Sequence, residues 1–137
     1  MKKILITLLS IICFSCSQNN SISIKSPNNG IKLSFEIVDG VPTYSVNNKN
    51  KKVISLSKMG LLFNNNIDFS KDLKLLETKS SSFNNSWKPL YGEEEMITNN
   101  YNELIVSLSN NVYKMNIFFR VFDDGVAFKY VVPKQNK

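Results

Sequence analysis

The chain has 137 residues, and seventeen Lys and Arg against eleven Asp and Glu give a net charge of +6. That length holds one domain of ordinary size, and an apolar share of 42% is enough for a core. Histidine is absent, which excludes Ser-His-Asp and Cys-His catalysis and His-ligated metal sites within these residues. The only cysteines, Cys13 and Cys16, lie near the start, leaving the body without a disulfide framework or a zinc-type cluster.

Met1-Lys2-Lys3 forms a positive n-region, and Ile4 to Ile12 follows as an apolar stretch broken only by Thr7 and Ser10. It is too short to span a bilayer and reads as a signal peptide over residues 1–16. Ser15 before Cys16 points to a lipoprotein signal, with Cys16 as the lipid attachment residue; Cys13 stands where such signals usually carry Leu. Ordinary secretion with cleavage nearby is the alternative. Both place the body in the cell envelope, as a periplasmic protein or an outer-membrane lipoprotein of a bacterium. Residues 17–23 are expected to form a polar tether.

The body, residues 24–137, reads as strands. Ile31, Leu33, Phe35 and Ile37 alternate with Lys32, Ser34 and Glu36, the period of a half-buried strand. Asp39-Gly40 makes a turn into a second run from Pro42, with Tyr44 and Val46 on one face. Asn47 to Asn50 forms a polar turn, Val53 to Leu56 a third strand, Met59 to Phe63 a fourth and Leu73 to Thr78 a fifth. Lys88 to Asn100 is irregular, with room for a short helical turn. Tyr101 to Leu108 is expected to pair, through a turn at Asn110-Asn111, with a strand whose one face carries Tyr113, Met115, Ile117, Phe119 and Val121. Asp123-Asp124-Gly125 then closes a hairpin onto Val126, Phe128, Tyr130 and Val132, with a positive φ expected at Gly125. The class is all-β, with eight or nine short strands in a sandwich or barrel. The strand after Gly125 carries apolar residues on one face and Ala127 and Val131 on the other, so it expects a further neighbour.

Candidate sites are few. Glu93-Glu94-Glu95 is the one acidic run, and a solvated loop is favoured over an acid/base or metal site, because adjacent strand residues point to opposite faces. Asp123-Asp124 could ligate calcium, but its place before Gly125 is explained by a turn. Trp87 is the single tryptophan. It is a candidate platform for stacking on carbohydrate, although packing at a sheet edge is the commoner use of such a ring. The basic excess is scattered, with one cluster at Lys49, Lys51 and Lys52. Nucleic-acid binding wants a stripe of charge with interleaved aromatics, so no nucleic-acid partner is expected. Gly60 and Gly92 are isolated and form no phosphate loop.

Four stretches in order carry a family resemblance: Ser26 to Gly30 running into Ile31–Val38 and on to Pro42–Val46; Gly60-Leu61 with Asp68-Phe69-Ser70; Trp87-Lys88-Pro89 with Gly92-Glu93, then Asn99 to Leu104; and Phe119-Arg120-Val121-Phe122-Asp123-Asp124-Gly125-Val126-Ala127-Phe128-Lys129-Tyr130. Together they resemble the N-terminal domain of glycoside hydrolase family 97, exported retaining or inverting α-glycosidases of α-glucosidase and α-galactosidase type. The resemblance implies part of a large, mostly antiparallel β-sandwich similar to the galactose mutarotase fold, packed against a (β/α)₈ catalytic barrel. Members of the family are several times longer, and their acid and base or nucleophile come from the barrel. The resemblance therefore assigns no catalytic, cofactor-binding or metal residue here. It implies calcium for the full-length parent and an α-linked oligosaccharide as substrate, bound through the barrel. On this reading the chain is the N-terminal portion of such an enzyme, inert alone and prone to self-association through an open sheet edge. The alternative is a stand-alone surface lipoprotein that binds glycans or a partner and touches the membrane only through its lipid.

Overall fold

The computed structural model describes residues 21–64, 67–93 and 95–135. Among them are eight strands and no helix: β1 (Ile22–Lys25), β2 (Ile31–Val38), β3 (Val41–Asn48), β4 (Lys51–Lys58), β5 (Lys74–Trp87), β6 (Ile97–Ser109), β7 (Lys114–Val121) and β8 (Val126–Val131). They form two four-stranded antiparallel sheets, each in sequence order, β1-β2-β3-β4 and β5-β6-β7-β8. The all-β sandwich expected from the alternation is what the chain adopts.

The alternating residues meet between the sheets. Leu33 and Phe35 of β2 and Val46 of β3 are buried against Leu104, Val106 and Leu108 of β6 and Met115, Ile117, Phe119 and Val121 of β7. Phe119 lies at the middle, with ring centroids 5.8 Å from Phe35, 6.4 Å from Tyr44 and 6.1 Å from Phe128. Burial of each such side chain contributes roughly 1.5–3 kcal/mol.

The two sheets are out of step by one strand. β1 packs over β6 and β2 over β7, and Tyr44 of β3 meets Phe128 of β8 at 5.7 Å. Among the described residues no strand of the first sheet packs closely over β5. Every residue of β5 is exposed. β8 is the opposite edge of its sheet and is half-exposed, in keeping with the further neighbour that its two apolar faces expect.

Turn chemistry follows the sequence at three places. Asp39 and Gly40 both have positive φ, 51° and 77°, in the two-residue loop between Val38 and Val41. Lys49 takes φ 51° after Asn48. Asn110 Oδ1 accepts the backbone N–H of Tyr113 at 2.8 Å, and Asn111 takes φ 74°. At Gly125 the expectation fails. Its φ is not positive, and neither Asp123 nor Asp124 is left-handed. The Phe122 N–H donates to the Gly125 carbonyl at 2.8 Å, so the loop closes without the special conformation.

Three further expectations are corrected. Met59 to Phe63 is not a strand; only an isolated bridge joins Leu62 to Asp68. This segment begins the connection between the sheets, from which Met59 and, further along, Phe69 plug the core. Lys88 to Met96 holds no helical turn among its described residues. β1 starts at Ile22, inside the stretch read as tether, because Ile22 and Ile24 pair with Phe35 and Leu33 and lie against the core.

Candidate functional site

Trp87 is the last residue of β5, opposite Ile97 of β6. β7 pairs with β6 only from Asn102 to Ser109. Phe83 to Trp87 and Ile97 to Tyr101 therefore form a two-stranded arm beyond the sandwich, and such a ribbon is marginal by itself. Trp87 is 46% exposed, and the tip beyond it carries Leu90 and Tyr91 at 93% and 92%. At the root of the arm the ring of Tyr101 stacks on Phe83, centroids 4.8 Å apart and planes 24° apart, and touches Phe122 at 5.1 Å.

On the same outer face, register sets Glu103 opposite Arg120. Arg120 Nε donates to Glu103 Oε2 at 2.8 Å, and its guanidinium lies 4.5 Å from the Tyr101 ring centre. Glu103 is 6% exposed. A carboxylate so buried needs a partner, and Arg120 supplies charge and a hydrogen bond together. Hydrolysis of a glycosidic bond needs two carboxyl groups facing each other across the bond. The buried carboxylate here faces a cation, so this pair stabilises the sheet face. The pair was missed in the sequence: counting outward from a two-residue Asn110-Asn111 turn sets Glu103 opposite Phe118, whereas the strands close at Ser109 and Lys114 around a four-residue loop and so set it opposite Arg120.

The other candidates do not converge. Glu93 and Glu95 are exposed, and Glu95 lies 3.9 Å from Lys88 in an exposed pair of little energetic weight; Glu94 is outside the described residues. Asp123 is engaged otherwise: its Oδ1 accepts the backbone N–H of Asn28 at 2.9 Å. Lys49, Lys51 and Lys52 sit exposed around the β3–β4 turn. Among the described residues no three acidic side chains gather as a metal would need. Cys16 lies outside the described residues.

One carboxylate is perturbed. Asp68 is held below the usual carboxylate range, first by the Ser70 hydroxyl and then by the Ser70 backbone N–H, with Lys71 adding attraction. Its backbone carbonyl accepts the Asn110 side-chain amide at 3.1 Å. This is a loop-fixing turn.

These features define a β-sandwich module whose polar groups tie strands and loops together. Residues 24–137 match the family described as Glycosyl-hydrolase 97 N-terminal, and the chain belongs to that family. It is 26% identical over 133 residues to a retaining alpha-galactosidase of Bacteroides thetaiotaomicron, covering 96% of this chain and 19% of that protein. A Glycoside Hydrolase Family 97 enzyme from Pseudoalteromonas sp. strain K8, solved in complex with panose and also with acarbose, superposes with a TM-score of 0.78 at 32% identity. A beta-arabinopyranosidase structure superposes at 0.75 with 30% identity. Each structural match covers 83% of this chain and 18% of the other. The chain thus spans about a fifth of the length of the relatives it matches.

Proposed function

We propose that this chain is the N-terminal β-sandwich portion of an exported enzyme that hydrolyses α-linked glucosides or galactosides. In it the sandwich packs against a catalytic (β/α)₈ barrel outside these 137 residues and shapes the rim of the active site. The observation that carries this reading is the family match, which runs from within β1 through β8, together with a fold shared with enzymes solved with oligosaccharides. The barrel would supply the acid and the base or nucleophile, and calcium would assist there. Leu90 and Tyr91, exposed at the tip of the β5–β6 arm, would give the barrel an apolar contact. The signal peptide would export the chain, and lipidation at Cys16 would hold it at the membrane.

Sequencing the locus past the codon for Lys137 tests this. The reading requires several hundred codons of (β/α)₈ pattern with spaced glutamates, in frame or resumed after a frameshift. A stop followed by an unrelated gene overturns it.

The half-exposed ring of Trp87 favours a second reading, a stand-alone surface lipoprotein that stacks glycans on that ring. Retention of the chain on immobilised α-glucan, lost in Trp87→Ala, would support it.

A further inference from the structure

Asn29-Gly30 is the only Asn-Gly pair in the chain, and such a pair carries its own chemistry. A glycine nitrogen has no Cβ beside it to hinder its approach to the preceding side chain. The Gly30 nitrogen gives its proton to base and forms a bond to Asn29 Cγ. The Cγ–Nδ2 bond breaks, and the amide nitrogen leaves as ammonia with a proton from water. The five-membered succinimide then takes up one water and opens to aspartate or isoaspartate at this position. Asn29 is exposed in the turn between β1 and β2, so water reaches it.

The turn withholds both things that ring closure needs. The nitrogen must first lie on the same side of the Cα–C bond as the side chain. Asn29 has φ 61°, and the ψ of about +47° that accompanies left-handed backbone sets the next nitrogen nearly opposite Cβ. The nitrogen must also release its proton. The Gly30 N–H donates to Asn28 Oδ1 at 2.7 Å. That oxygen is held in place by the hydroxyl of buried Ser26 at 2.8 Å, and Ser26 Oγ accepts the Ile31 N–H at 3.0 Å. The Asn29 N–H donates to the Ser26 carbonyl at 2.9 Å. The Asn28 N–H donates to Asp123 Oδ1 at 2.9 Å, in the turn between β7 and β8. Each N–H from Asn28 to Ile31 therefore has an acceptor, and one of these acceptors belongs to the other sheet.

We propose that Asn29-Gly30 is a latent deamidation site, held in check by the Asn28 side chain and by the Asp123 tie between the sheets. Opening of that corner frees the Gly30 N–H and lets the Asn29 backbone rotate, and the succinimide then forms. The change is one-way. Isoaspartate adds a carbon to the main chain inside a turn whose shape is set by these hydrogen bonds. Either product also places a carboxylate beside the residue that pairs with Asp123. A transient local opening thus becomes a permanent alteration at one end of the sandwich. This rests on the turn alone and is independent of the glycosidase reading.

The test follows the full 137-residue chain in mildly alkaline buffer, folded and in guanidinium. Mass spectrometry of the fragment that contains Asn29 measures deamidation, and enzymatic isoaspartyl methylation counts isoaspartate. The folded chain should react at least about tenfold more slowly than the unfolded one, and folded Asn28→Ala about tenfold faster than the folded parent, the weight of one hydrogen bond. Asn28→Asp keeps an acceptor for Gly30 and should stay near the parent rate. Asp123→Ala leaves Asn28 in place but should accelerate the reaction. Gly60→Ala weakens a different loop and should leave the rate unchanged, because the opening that matters is local. Circular dichroism confirms that each variant is folded. A folded parent as fast as the unfolded chain overturns the proposal. So does Asn28→Ala or Asp123→Ala at the parent rate, or Asn28→Asp as fast as Asn28→Ala. Gly60→Ala as fast as Asn28→Ala also overturns it, since unfolding of the whole chain would then control the chemistry.

Discussion

The backbone N–H of Asn28 donates to Oδ1 of Asp123 at 2.9 Å, joining two turns 95 residues apart. One turn leads from β1 to β2, the other from β7 to β8, so this bond ties the two sheets at one end. Asn102 adds a second tie, its side-chain amide donating to the Lys25 carbonyl at 2.8 Å.

Removing the acceptor should loosen that end of the sandwich. Asp123→Ala is expected to cost about 1 kcal/mol, since the bond is exposed and charge-assisted. Asp123→Asn keeps an acceptor oxygen and should cost less. Urea denaturation of both variants measures the difference.

The Glu103–Arg120 pair is asymmetric in burial, which decides what each substitution does. The Glu103 side chain is 8% exposed and that of Arg120 41%. Arg120→Ala leaves a buried carboxylate without its cation and removes the guanidinium from the Tyr101 ring, and should cost about 2–3 kcal/mol. Replacing both partners, by Glu103→Leu and Arg120→Met, should cost less than Arg120→Ala alone, because no orphaned charge remains. A double-mutant cycle in urea checks the order.

Gly60 and Gly125 should respond oppositely to alanine. Gly60 has φ 150°, and a Cβ there would lie 2.6 Å from Ser70 Cα and 2.8 Å from the Phe69 carbonyl oxygen. Its N–H also donates to the Tyr130 hydroxyl at 3.1 Å. Gly60→Ala should cost about 2 kcal/mol or more. A Cβ on Gly125 meets nothing within 4 Å, and Gly125→Ala should stay within about 0.5 kcal/mol. Thermal melts of the two variants make the comparison.

Asp68 gives the loop between the sheets a dependence on acid. Its carboxyl is depressed chiefly by the hydrogen bonds from Ser70. A depressed carboxylate stabilises the fold fully above its unfolded value of about 3.9, and that contribution is lost as the pH falls through the lower folded value. Asp68→Asn should therefore flatten the fall of stability below about pH 4 and leave the profile between pH 5 and 8 unchanged in shape. Urea midpoints taken across pH 2 to 8 read this out.

The legible parts of the fold are those with one face in the core. β2, β7 and β8 announce themselves because Leu33, Phe35, Ile117, Phe119 and Phe128 recur at every second position. β5 was legible only as far as Thr78. Beyond it, Ser80 to Ser86 lies at an uncovered edge, and a strand with no buried face has no period to read. Met59 to Phe63 misled in the other direction: Met59 and Leu61 are apolar because they plug the sandwich from a crossing loop. Gly125 misled because the four residues between Val121 and Val126 close the hairpin without a left-handed residue. Glu103 and Arg120 were hidden because a two-residue turn at Asn110-Asn111 would set Glu103 opposite Phe118, and the observed register follows from a four-residue loop instead; charge at either position alone reads as solvated surface. Family membership was legible because its motifs sit at turns and strand ends, such as Phe122 to Val126, where geometry restricts the choice of residue.

The most direct measurement of the central claim compares hydrolysis of aryl α-glucosides and α-galactosides by the complete product of the locus and by the 137-residue chain alone. The account predicts turnover by the complete product and none by the chain. Turnover by the chain alone, or an inactive complete product that carries a folded barrel, would contradict it.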